Sequence, residues 1–239
     1  MFASPGSYHV SIGDLGLYFL FLVPPLVFGL AVQYWLKKTV GRNAQVGVAS
    51  GLTGAQVARQ ILDRNALDEV EIHRAGGGPL SDHYDPRKRS VFLSETVHDS
   101  PSVTATAIAA HEVGHAIQHA RAYAPLQIRS ALFPVVAFAS SFWTILLLGG
   151  LLLGALGLVQ IAILLYAVAV LFHFVTLPVE FNASSRAGAQ LGSLGLVTAS
   201  ESEGVKKVLN AAALTYVAGA LAALTQLLYF ALLFFGSND

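Results

Sequence analysis

Residues 131–178 read ALFPVVAFASSFWTILLLGGLLLGALGLVQIAILLYAVAVLFHFVTLP, without one Asp, Glu, Lys or Arg. A hydrocarbon core of about 30 Å is crossed by about 20 apolar residues in a helix, so a single straight helix over this run would overshoot a bilayer roughly twofold. Gly149, Gly150, Gly154 and Gly157 fall at its middle. The economical reading is a helical hairpin, with spans at about 131–154 and 155–178 joined by a tight glycine-assisted reversal. Two further charge-free stretches of spanning length lie outside it, at about 15–36 and 212–235. Pro24 and Pro25 in the first would break a soluble helix but are tolerated as a kink in a membrane span. A composition 54% hydrophobic and only 12% charged, with a mean hydropathy of +0.61, excludes an ordinary soluble globule. The sequence therefore predicts a mainly α, integral membrane protein with four transmembrane helices, a single membrane-embedded domain over residues 1–239.

The basic residues set the orientation. Eleven of the 14 lie between Lys37 and Arg129, and the others are Arg186, Lys206 and Lys207. By the positive-inside rule both segments, 37–130 and 179–211, are expected to be cytoplasmic. No Lys or Arg precedes Leu15, whereas Lys37, Lys38 and Arg42 follow the first span, which reads as an uncleaved anchor with its N-terminus outside. Fourteen acidic residues balance the 14 basic ones and no basic run is long, so nucleic acid is not an expected partner; the lipid bilayer is. The absence of Cys excludes disulfides and thiolate chemistry, and leaves any metal to His and carboxylates.

The first polar segment opens with Thr53 and Gln56, a capping-box signature for an amphipathic helix to about Asn65. Val70–Arg74 and Ser90–Leu93 have strand character, and between them lie the turn formers Gly76-Gly77-Gly78-Pro79 and Ser81-Asp82-His83-Tyr84-Asp85-Pro86, giving a small hairpin or sheet. Asp99 or Ser100 is then expected to cap a helix with Pro101 at its first position, running to about Tyr123. At its centre stands His111-Glu112-Val113-Gly114-His115. Four residues make slightly more than one turn, so both imidazoles emerge on one face and can close on one divalent ion, with Glu112 placed beside it as general base.

Catalytic zinc takes three protein ligands. His119 is excluded by about 12 Å of axial rise from His111, and the metzincin spacing fails because position 121 is Arg121. His73, His83 and His98 could fold back, and His173 lies inside a span. Glu180 is the better candidate, since a carboxylate at a membrane boundary wants a cation; the competing fates are wetting at the interface or a pair with Arg186. Ser200 and Glu203 suggest a capped helix running into the last span, and Ser90–Leu93 suggests an edge strand able to align an extended peptide.

On four motifs the chain resembles the YugP-like zinc-dependent membrane peptidases, a bacterial family of neutral metalloproteases. They are Ser81-Asp82-His83-Tyr84-Asp85-Pro86, the run from Ala109 to Ala120 around His111 and His115, Pro178-Val179-Glu180-Phe181-Asn182-Ala183-Ser184, and the run from Val208 to Tyr216. More distantly it is similar to the HtpX and prenyl-protein (CaaX) proteases, in which a glutamate in a Glu-x-x-Ala-Asp context completes the metal site. The resemblance implies one Zn²⁺ on His111, His115 and Glu180, Glu112 as catalytic base, and a cytoplasmic zincin-like α+β minidomain. It further implies an endopeptidase, gluzincin-like, in the bacterial cell (inner) membrane, acting by means of an activated water; the place of the ligand segments at the cytoplasmic ends of spans leads us to expect membrane proteins or peptides near the cytoplasmic face as substrates. The aspartate of the HtpX and CaaX pattern is Ser184 here, so its anchoring role passes to Ser184, Asn182 or Arg186. Arg186, Tyr216, His83 and Asn182 are all candidates to stabilise the oxyanion. Two other readings use the same residues: a non-proteolytic zinc-stabilised membrane scaffold, and a hydrolase of lipid head groups or acyl bonds.

Overall fold

The computed structural model describes residues 12–78 and 81–235; Pro79 of the turn cluster, the N-terminal segment up to residue 11 and residues 236–239 lie outside the described residues. The chain is mainly helical. In order it forms α1 (Ile12–Ala44), α2 (Gly54–Arg64), β1 (Glu71–Arg74), β2 (His83–Asp85), β3 (Ser90–Leu93), α3 (Glu95–His98), α4 (Val103–Ala120), α5 (Ala124–Leu152), α6 (Leu156–Ser193) and α7 (Ala199–Phe235). Among the described residues, α1, α5, α6 and α7 are long and apolar enough to cross a membrane. Two compact units result: one takes the chain through Ala31, Ile128–Val175 and the chain from Val217, the other Val32–Gln127 and Thr176–Tyr216.

In the first unit large apolar side chains face outward, Leu20, Leu152 and Leu164 being 66%, 86% and 65% exposed. In water so much exposed apolar surface would be costly, whereas hydrocarbon solvates it. α5 and α6 are joined by Leu153-Gly154-Ala155, with Gly154 at φ +62°, a conformation that glycine adopts without strain. A side chain at Gly150 would meet Val159 at 2.7 Å, so this glycine lets the two arms of the hairpin touch. Trp143 packs on Tyr166, whose hydroxyl donates to Gln226 Oε1 at 3.0 Å, a polar tie between α6 and α7.

The second unit holds a core of ordinary soluble type. Thr53 caps α2 through the expected capping box with Gln56, and Val57, Ala58, Ile61 and Leu62 bury that helix. The three-stranded sheet has the order β1-β3-β2, with β1 parallel and β2 antiparallel to β3. This corrects two expectations. His83–Asp85, inside the cluster of turn formers, is a strand in register with Phe92, Val91 and Ser90; Pro86–Arg89 turns, where the Asp85 carboxylate accepts from the Arg87 and Lys88 amides. Ser90–Leu93 is the central strand, paired on both sides, so it offers no free edge.

Two helix starts are also displaced. Pro101 and Ser102 are held in extended conformation by Val46–Val48, with Val48 N donating to Pro101 O and Val103 N to Val46 O, both at 2.9 Å. α4 therefore begins at Val103, with Ser102 as its cap. α7 is capped by Thr198, in reciprocal contact with Glu201, two residues before the expected Ser200 and Glu203. The other Glu201 oxygen accepts from Ala49 N at 2.6 Å, which selects this register. α7 then runs unbroken to Phe235.

α6 continues through Pro178 to Ser193, so Glu180 sits within a helix. Its buried positions Val179, Ala183, Ala187 and Leu191 recur every four residues as a ridge toward the core. Gly114 of α4 lies against this ridge, and a Cβ there would come within 2.6 Å of the Ala183 carbonyl oxygen. Gly114→Ala is accordingly expected to cost about 1–3 kcal/mol by overpacking, offset only in part by a helix-propensity gain of about 1 kcal/mol. Gly188→Ala, which meets nothing within 4 Å, should be neutral or stabilising by up to about 1 kcal/mol. Unfolding in detergent compares the two, and equal stability would contradict the close approach.

Candidate metal centre

His111 and His115 project from one face of α4, and the Gly114–Ala183 contact carries the Glu180 side chain to them. Glu180 is 2% exposed. Its Oε2 lies 3.3 Å from His111 Nε2 and 3.6 Å from His115 Nε2, and the two Nε2 atoms are 3.2 Å apart. Among the described residues, these three form the group of His and carboxylate donors that could hold a metal ion. In a tetrahedral site with bonds of about 2.0–2.1 Å, neighbouring ligand atoms stand about 3.3–3.4 Å apart, so the observed triangle has the size of one face of such a site.

The hydrogen bonds behind the imidazoles support the same reading. Gln118 Oε1 is 3.1 Å from His115 Nδ1, while Gln118 Nε2 donates to the Val179 carbonyl at 2.8 Å. A carbonyl can only accept, so the amide orientation is fixed and the His115 proton sits on Nδ1. His115 Nε2 then turns a lone pair toward the Glu180 carboxylate oxygen, and two acceptors placed so suit a shared cation. His111 Nδ1 is 3.1 Å from Ser184 Oγ.

Glu112, 8% exposed, stands next to the pair. Burial pushes its carboxyl up to about 7, opposed by the charge of His111 and reinforced by Glu180 and Asp82. Asp82 is itself pushed up by burial, while Ser94 N and Oγ donate to its carboxylate.

The remaining candidates separate. Arg186 Nε donates to Asn182 Oδ1 at 2.7 Å and its guanidinium lies over Tyr123. Asn182 also accepts from Gln118 Nε2 at 3.0 Å. His83, at the start of β2, donates Nδ1–H to Ser81 O and stacks on Phe92. Tyr216 lies on α7 in the same unit, 37% exposed. His119 bonds the Tyr84 hydroxyl at 2.8 Å, His73 pairs with Glu71 and His98 with Asp99, and none of them joins the donor triangle. His173 packs near Gly219 in the other unit. Sequence reasoning missed Gln118 and the packing role of Gly114. A residue three positions past the second histidine, on the same helix face, was the available signal for Gln118.

Comparison with known proteins points to a zinc peptidase family. Residues 18–235 match the family described as "Putative neutral zinc metallopeptidase". The "Putative membrane protease YugP" of Bacillus subtilis (strain 168) is 47% identical over 222 residues, covering 92% of this chain and 98% of the relative. No solved structure matches the chain. Removing the Ser184 hydroxyl tests the site: Ser184→Ala is expected to keep the fold and weaken zinc binding about tenfold, read by competition with a chelator.

Proposed function

We propose, because the chain belongs to the neutral zinc metallopeptidase family, that it is a zinc-dependent endopeptidase of the bacterial cell membrane that cleaves membrane proteins or peptides near the cytoplasmic face. The observation that supports this most is the convergence of His111, His115 and Glu180 beside the buried Glu112. Three donors rather than four converge among the described residues, which favours an open catalytic site over a closed structural one.

Zinc held by His111, His115 and Glu180 would supply Lewis acidity to the scissile carbonyl and acidify a water. The Glu112 carboxylate takes the proton of the attacking water and passes it to the leaving amide nitrogen. Ser184 and Gln118 keep the two imidazoles turned inward. Substrate alignment falls to β2, an edge of the sheet, whose outer hydrogen-bonding side can take an extended peptide. Arg186 and Asn182 are engaged with one another, so His83 on that same edge is the oxyanion donor we favour, through Nε2 when protonated. A zincin-like minidomain is then the helix α4 with its sheet, on the cytoplasmic side to which the basic residues assign 37–130.

Glu112→Gln should retain stoichiometric zinc and lose cleavage of a membrane-protein substrate by about 10²–10⁴-fold, and Glu180→Ala should lose the metal. Undiminished cleavage by Glu112→Gln would refute the mechanism. Sidedness has its own test, because the chain lacks Cys and a single introduced thiol is unique. Lys88→Cys, at an exposed position in the β2–β3 turn, should resist a membrane-impermeant maleimide in intact cells and react after permeabilisation. Labelling in intact cells would reverse the orientation.

A further inference from the structure

Gln118 is 0% exposed, one turn beyond His115 on α4. A buried carboxamide must satisfy an acceptor oxygen and two N–H donors. Here the oxygen faces His115 Nδ1 at 3.1 Å, and the nitrogen donates to Val179 O at 2.8 Å and Asn182 Oδ1 at 3.0 Å. Val179 immediately precedes Glu180, and Asn182 follows it by two positions. One amide thus touches an imidazole on α4 and both flanks of the carboxylate-bearing turn of α6.

The contacts extend back to their own starting point. Asn182 Oδ1 also accepts from Arg186 Nε, the Arg186 guanidinium lies 5.9 Å over the Tyr123 ring, and Tyr123 N donates to Gln118 O at 3.0 Å. The end of α4 and the Glu180 turn are therefore held in one circuit.

We propose that Gln118 is the positioning residue of the metal centre, fixing His115 in the Nδ1–H form and pinning the α6 turn that presents Glu180. This rests on His111, His115 and Glu180 being the ligands. Chemistry explains why an amide stands there. A carboxylate could accept from His115 Nδ1–H but would set its other oxygen against the Val179 carbonyl, two acceptors at hydrogen-bonding distance. An apolar side chain of the same length would leave His115 Nδ1 without a partner in a place closed to water, and would remove the ties from α4 to Val179 O and Asn182 Oδ1. Only a group with both functions serves both helices.

The test uses the full-length protein in detergent with histidine labelled in ¹⁵N, read two ways. Zinc affinity is measured by chelator competition, and the His115 tautomer by ¹⁵N shifts of the zinc-free protein at a pH above the ordinary imidazole pKa. Gln118→Met should bind zinc about 10–100-fold more weakly and show His115 as a mixture of tautomers. Gln118→Glu should restore the Nδ1–H form yet still bind zinc more weakly than wild type, because the tie to α6 is broken. A purely structural role would lower unfolding temperature while leaving both readouts at wild-type values, and that result overturns the proposal. If Gln118→Met does not fold, Gln118→Glu decides alone: wild-type zinc affinity overturns the proposal, and weakened affinity with the Nδ1–H tautomer supports it. Failure of the ligand assignment looks different, since Glu180→Ala would then keep stoichiometric zinc.

Discussion

The candidate centre depends on a backbone approach: α4 meets α6 at Gly114 against the Ala183 carbonyl, with no side chain between them. A glutamate carboxylate is only a few bonds from its helix axis, so the donor triangle forms only if the helices lie this close. The ridge of Val179, Ala183, Ala187 and Leu191 holds that distance, because its small members admit α4 while Ala187 and Leu191 join the core shared with α2. Burial of this apolar seam stabilises an arrangement that the ligands by themselves would oppose. A carboxylate and an imidazole lone pair repel in the absence of a cation, and nonpolar packing is what keeps them facing one another.

Local rules brought much of this into view from the residues alone. The four apolar runs, the hairpin at Gly154 and the Thr53–Gln56 cap follow from length, composition and short-range chemistry, all of which act within a few residues. So does the face shared by His111 and His115, a consequence of helical pitch. What stayed hidden depended on partners distant in sequence. The start of α4 shifts because Val46–Val48 takes Pro101 and Ser102 into a bridge. His83–Asp85 becomes a strand because β3 supplies a ladder that overrides turn propensity. The α7 cap is chosen by an Ala49 amide far from it along the chain. Pro178 would end many helices, yet α6 passes through it, as helices with tertiary support can. Spacing alone did not single out Glu180; its place at a membrane boundary and the family resemblance favoured it over His73, His83 and His98, and the Gly114–Ala183 contact that brings it to the two imidazoles was not legible.

The partners behind the imidazoles complete the argument. Carboxylates commonly hold the far nitrogens of metal-binding histidines, whereas here a hydroxyl holds His111 and an amide holds His115. Charge accounts for the difference. With a divalent ion bound, its two positive charges would be balanced by the carboxylates Glu180 and Glu112, both nearly inaccessible to water. An acid at position 184 or 118 would leave an excess negative charge in a buried place, where an uncompensated ion costs several kcal/mol. It would also draw positive character from the imidazoles and dull the electrophile. Neutral donors orient the rings without either effect.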